Sequence, residues 1–257
     1  MAVPSNPNTQ AERPAQTHDG PAPHSRRPPD RQLILWGGTA GIGGAVLLIA
    51  SAVVVGVMGL PDASDVETLT DFADIESGRV AEHFLYLGAL MLFALHVAVL
   101  QRLLSTTHAA AALFGAVFAW FGLVIMAASS VLHVSTSPLA DLYNAPDTTP
   151  EDLRAIEYAW HGTQSVFDTM LTTGALLVPI GIVLFGVAMQ KTPAFGPRLG
   201  MVSIGLGVIG IIGAAIAVID PGSMFLAAGV LAITVFHLAA GWRTRVMGSE
   251  NSIDLSS

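Results

Sequence analysis

TPEDLRAIEYAWHGTQSVFDTMLTTGALLVPIGIVLFGVAM, residues Thr149 to Met189, begins as a charged surface helix and continues as an apolar run long enough to cross a bilayer. Its start is well specified. Thr149 is placed as N-cap, Pro150 sits at N1 where no amide is needed, and Glu151 and Asp152 face the positive end of the helix. No Gly-Pro break follows before Met189, so one helix is expected to pass from water into the membrane. At 100° per residue, His161, Gln164, Ser165, Asp168 and Thr172 fall in one stripe of about a quarter turn. Asp168 is the only Asp well inside an otherwise lipid-compatible segment, roughly 10 Å deep by the helical rise. A carboxylate there is costly unless paired, hydrated or protonated, so Asp168 is expected to face the interior of a bundle. Pro179, further along, removes one backbone hydrogen bond, frees the carbonyl of Ala175 and predicts a kink.

The rest of the chain repeats the apolar theme. Of its 257 residues, 52% are hydrophobic and only 12% charged, against about a quarter charged in a soluble domain. A soluble fold would have to hide several apolar runs of about twenty residues and would have no surface left to build. There are no cysteines, which excludes disulfides, zinc-thiolate sites and thiol catalysis.

In order, residues 1–32 are poor in large apolar side chains and are expected to be a disordered tail. Arg26 and Arg27 before an apolar run look like a twin-arginine signal, but the run is too long and lacks a small-residue cleavage site, which predicts an uncleaved span. Six spans are predicted, at 33–60, 81–100, 109–132, 162–189, 199–219 and 223–242, followed by a polar tail at 243–257. Gly37, Gly41 and Gly44 in the first span have the small-xxx-small spacing of close helix packing. Between the first two spans, Ser64 and Glu67 form a capping box, and Val66, Leu69, Phe72 and Ile75 recur every three residues, which predicts a short amphipathic helix on the membrane surface. Asp220-Pro221-Gly222 reads as a tight turn. The fold class is therefore all-α, a polytopic six-span bundle with short amphipathic helices in its outer loops.

Counting bases orients it. With a cytoplasmic N-terminus, Arg13, Arg26, Arg27, Arg31, Arg102, Lys191, Arg198, Arg243 and Arg245 lie inside and only Arg79 and Arg154 outside. That asymmetry predicts a plasma-membrane protein with both termini cytoplasmic and two acidic loops outside. Trp36 and Trp242 fall at the inner interface and Trp160 at the outer one, as an aromatic belt requires.

The histidines sort by depth. His18, His24 and His108 lie in the tail or a cytoplasmic turn. His83, His133 and His161 lie near the outer interface and, with Glu82 and Asp168, offer the imidazole and carboxylate ligands of a divalent metal site. Ser129, one turn before His133, is placed to hydrogen-bond in support. The plainer alternative is that these groups are partly solvated and only mark the boundary. His96 and His237 sit at matching depth near mid-membrane, which would suit the two axial ligands of one haem b; the other reading is that each is a packed, hydrogen-bonded intramembrane histidine. Nothing in the chain suits a P-loop, a dinucleotide fingerprint or nucleic-acid binding.

The junction GIVLFGVAMQKTPAFGPRLG at 181–200, with its Pro197-Arg198-Leu199-Gly200 turn before the fifth span, resembles small six-span integral membrane proteins of bacteria and archaea whose function is unknown. The resemblance covers residues 33–242, implies the six-span architecture and brings no activity with it. Ser129, Val131 and His133, with the outer His and Asp, also resemble in residue type the alkaline-ceramidase and progestin-receptor-like superfamily, which sets Ser, His and Asp around zinc in seven spans. This chain departs from it, having six spans and no His pair at i, i+4 in the last one, so no residue is carried over.

The leading reading of these patterns is a small transporter or ligand-binding membrane protein, with the question of an enzymatic activity left open. Its expected outward-open polar pocket comprises Asp168, Gln164, His161, Ser165 and Thr172, with His83 and His133 beside them. The acidic loops favour a proton, a cation or another small ligand. A metal-dependent membrane hydrolase and a single-haem cytochrome are the competing classes. The expected partner is the lipid bilayer, and a homo-oligomer is compatible with the sequence.

Overall fold

The computed structural model describes residues 31–59, 66, 69–220 and 223–250. The tail up to residue 30, the Ser64–Glu67 capping box, Pro221-Gly222 and residues 251–257 lie outside the described residues. Eight helices follow in order: α1 Arg31–Met58, α2 Leu69–Asp74, α3 Glu76–Leu104, α4 Ala109–Val134, α5 Ser137–Tyr143, α6 Pro150–Gln190, α7 Gly196–Ile219 and α8 Phe225–Glu250. Six of these (α1, α3, α4, α6, α7 and α8) carry segments long and apolar enough to cross a membrane. The protein is an all-α, multi-pass membrane bundle.

The six long helices close into a ring. Each packs on two neighbours in the order α1, α3, α4, α6, α7, α8 and back to α1, while α6 and α8 also touch across the middle. The predicted spans 81–100, 109–132, 162–189 and 199–219 lie within α3, α4, α6 and α7, which overrun them, while 33–60 and 223–242 each reach two residues past the described helix, at the end of α1 and the start of α8. The most consequential overrun is α6, one helix of 41 residues. At about 1.5 Å per residue it is about 60 Å long, twice the hydrocarbon thickness, so part of it must project. Its start is capped as the sequence predicts: Thr149 Oγ1 accepts from the Asp152 amide at 3.2 Å, and the Asp152 side chain accepts from the Thr149 amide. Those bonds from Thr149 hold the Asp152 carboxyl below its usual range.

A lid is built around the projecting part. Leu69 and Phe72 of α2, Ala140 of α5, and Ile156 and Trp160 of α6 form a small buried cluster, with Val66 and Ile75 packed against it. The Phe72 and Trp160 rings lie 5.1 Å apart. Two expectations change here. The predicted amphipathic helix exists, but its apolar stripe is covered by protein and does not lie on lipid. Trp160 is fully buried in the lid, unlike Trp36 and Trp242, which are largely exposed on the bundle surface as interface anchors would be. Near the opposite end, α8 continues eight residues past Trp242, to Glu250.

At the end away from the lid, α1 and α8 meet through glycine. A Cβ on Gly38 would come within 2.5 Å of the Arg245 amide nitrogen, and one on Gly41 within 2.9 Å of the His237 carbonyl oxygen. Only glycine permits that approach. Towards the lid the two helices diverge, and a cavity opens between them.

Candidate functional site

Four polar side chains meet at the lid end of α1, α3 and α4. Ser51 Oγ, on α1, donates to Glu82 Oε1 at 2.6 Å. The other carboxylate oxygen contacts His83 Nδ1, which also lies 2.9 Å from the Arg79 carbonyl oxygen. Both partners of that nitrogen are acceptors, so Nδ1 carries the proton. His83 Nε2 then faces His133 Nδ1, on α4, at 3.1 Å. With His83 neutral, His133 donates along this line and its own Nε2, buried and without a hydrogen-bond partner among the described residues, is a bare lone pair. The result is a continuous chain from Ser51 to His133, crossing three helices.

Arg79, one turn earlier on α3, is buried at 3% exposure. Its guanidinium lies 4.3 Å above the Phe72 ring, and Nη2 donates to the His133 carbonyl oxygen at 3.4 Å. Arg79 thereby ties the lid to the site, and among the described residues it forms no ion pair with Glu82.

Glu82 borders a cavity of about 490 Å³ between α1, α3 and α8. Ser51, Tyr86 and Thr234 supply its other polar groups, and Leu48, Val55, Leu171 and Val230 are among its apolar walls. Ile49 and Leu231, which also line it, are more than half exposed, so the cavity opens sideways towards lipid. The Tyr86 hydroxyl, one turn below Glu82, is buried without a hydrogen-bond partner in the described structure. A smaller cavity of about 180 Å³, lined by His83, Phe84 and Ser130, lies on the other side of α3.

The α6 stripe does not join this site. His161 and Ser165 are exposed, Gln164 and Asp168 half-buried, and only Thr172 is buried. Asp168 Oδ1 accepts from Gln164 Nε2 at 3.2 Å, Ser165 bonds back to the His161 carbonyl, and His161 lies 4.0 Å from Glu157. The α6 residue that reaches His133 is Phe167, whose ring lies 4.3 Å from the imidazole. It points about 100° away from Asp168 around the helix. The expected pocket joining His161, Gln164, Ser165 and Asp168 to His83 and His133 is therefore not formed, and Asp168 lies on a flank of α6 and not at the bundle centre.

The five candidate metal ligands separate for the same reason. Glu82, His83 and His133 meet in a line, while His161 and Asp168 stay on α6. Among the described residues no three His, Asp or Glu side chains gather as a metal site. Ser129 donates to the Met126 carbonyl oxygen at 2.8 Å, so its hydroxyl is committed to its own helix and not to His133.

His96 and His237 do meet, at matching depth, but not as haem ligands. Their Nδ1 atoms lie 2.9 Å apart and their ring centroids 5.1 Å apart. Two axial imidazoles stand on opposite faces of a porphyrin with iron between them; these two touch, and no plate fits between. Each is a packed, hydrogen-bonded intramembrane histidine, the other reading of the sequence, and the structure adds that each is the other's partner.

Sequence reasoning placed Glu82, His83 and His133 near one another by depth but missed Ser51 and Tyr86. Both carried a signal. Ser51 is the only hydroxyl in the second half of α1, and Tyr86 is the only one of the three tyrosines inside a predicted span.

The fold and the site define a class, a multi-pass α-helical membrane protein with a polar chain beside an apolar lateral cavity. Compared with protein-family models, with curated proteins and with solved structures, this chain matches none.

Proposed function

We propose that the protein is a small transporter of the cell membrane whose solute is a lipophilic cation, held in the cavity between α1, α3 and α8 with its charge at Glu82. The observation that carries this is a carboxylate that makes no direct ion pair with arginine or lysine among the described residues, at the wall of an otherwise apolar, laterally open cavity. An apolar body fits the walls, and a positive head pairs directly with the Glu82 carboxylate. Ser51 and His83 fix the carboxylate's orientation, and the Tyr86 hydroxyl offers a further contact. Glu82 can hold either a proton or the cation, and His83 and His133 lead protons to and from it, so exchange of one for the other follows naturally. The excess of bases at the end away from the lid supports cytoplasmic termini, with the lid and its acids outside, where they attract cations.

Uptake of radiolabelled tetraphenylphosphonium into proteoliposomes against a proton gradient tests this. Wild-type protein and Asp168→Asn are expected to transport it, and Glu82→Gln to fall to the rate of empty liposomes. Full transport by Glu82→Gln would overturn the proposal.

A further inference from the structure

A second lateral cavity, of about 500 Å³, lies between α1 and α3 at the end away from the lid. Leu33, Trp36 and Gly43 of α1 and Leu92, Leu95 and Ala98 of α3 are among its walls. Its one hydroxyl, that of Thr39, is already committed, donating to the Leu35 carbonyl oxygen at 2.8 Å. The two helices touch behind it, where a Cβ on Gly37 would come within 2.5 Å of the Val99 side chain. In front, small residues leave a trough, and the exposed side chains of Trp36 and Leu95 stand at its edges.

The length of this groove matches one leaflet. From Leu33 to Gly43 α1 rises about 15 Å, half of a hydrocarbon core of about 30 Å. The groove therefore runs from the membrane surface to the midplane. Arg102 stands beyond its mouth. It follows Ala98 by one turn and Leu95 by two, so all three share a face of α3. Its side chain is exposed and forms no ion pair among the described residues. The sequence has no Asp or Glu between Glu82 and Asp141, so neither α3 past Glu82 nor α4 supplies a counter-charge. Trp36, near the level of Val99, comes between the apolar trough and Arg102, and its indole N–H makes no hydrogen bond among the described residues.

We propose that this groove holds an anionic phospholipid of the leaflet at the end away from the lid, with one acyl chain lying between α1 and α3 and the phosphate on Arg102. The order of groups along the groove is the order along such a lipid: an apolar trough for the chain, an indole N–H at the depth of the ester oxygens, then a guanidinium for the phosphate. A second copy of the protein suits the mouth less well, because it would bring further bases to this level, among them Lys191, Arg198 and Arg243. Residues 1–30 contain no Leu, Ile, Phe, Trp or Tyr, so they offer little to fill an apolar trough. The site is separate from the Glu82 cavity and does not depend on it.

Native mass spectrometry of the detergent-solubilised protein, with dioleoyl phosphatidylglycerol and dioleoyl phosphatidylcholine added in turn, tests the site. Wild-type protein is expected to retain one phosphatidylglycerol about fivefold more tightly than phosphatidylcholine. Arg102→Gln, a change to an exposed side chain, is expected to abolish that preference. Ala98→Trp, which fills the groove, is expected to lose both lipids. Equal retention of the two lipids by wild type, or an undiminished preference in Arg102→Gln, overturns the proposal. A lipid-free wild type overturns it too: a dimer that Ala98→Trp splits would give the groove to a second copy, and a monomer that gains lipid once residues 1–28 are removed would give it to the tail. Should Ala98→Trp fail to fold, the comparison of wild type with Arg102→Gln decides alone.

Discussion

Glu82 and Asp168 are both carboxylates within the apolar helices, and only their neighbours tell them apart. In the sequence Asp168 is the more conspicuous, because it lies deeper in its span and crowns a polar stripe. In the fold it is half-buried beside Gln164, while Glu82 takes a hydroxyl from α1, touches an imidazole and borders the cavity. Depth is legible from a sequence, but direction is not, since the face of a helix that looks inward depends on which helices stand beside it. Gly41 shows the same limit. Its small-xxx-small spacing announces close packing, but not that the group it admits is a histidine. Gly41→Ala places a methyl against His96 Nδ1, and overpacking of this kind typically costs about 1–3 kcal/mol. A thermal melt in detergent should show that loss, and the histidine NMR spectrum should show the His96–His237 bond broken; an unchanged spectrum would mean that α1 is free to move aside.

At the level of elements, the six spans and the cap of α6 were readable because they rest on local signals: apolar length, Thr149 at the N-cap, the proline at N1 and the acids behind it. The lid was readable only in part. The apolar repeat of Leu69 and Phe72 announces α2, but a short amphipathic helix looks the same whether its stripe lies on lipid or on protein. Trp160 decides the matter by burying its ring between the lid and the bundle. Trp160→Ala should cost about 3–5 kcal/mol of local stability. Hydrogen exchange is expected to speed up in α2 and α5 and stay slow in α7 and α8, and equal acceleration throughout would show that the lid is not a separate layer. Because Arg79 bridges Phe72 and the His133 carbonyl, the same change is expected to loosen the Glu82 site.

For the molecule as a whole, a closed ring of six long helices places α1 beside both α3 and α8, with close glycine-mediated packing of α1 on α8 at one end and the cavity between the same helices nearer the lid. No single segment carries that geometry, which is why neither the cavity nor its opening towards lipid could be read from spans taken one at a time. The absence of cysteine makes the proposed topology simple to check. A cysteine at Asp147 is expected to react with a membrane-impermeant maleimide in intact cells, and one at Thr106 only after lysis; the opposite pattern would invert the protein and place the acidic lid inside. The account rests most heavily on Glu82 being the cation's counter-charge, and equilibrium binding of tetraphenylphosphonium to purified protein tests that most directly. Saturable binding by wild-type protein that Asp168→Asn retains and Glu82→Gln weakens by about tenfold or more is the predicted result, whereas equal binding by wild type and Glu82→Gln would contradict it.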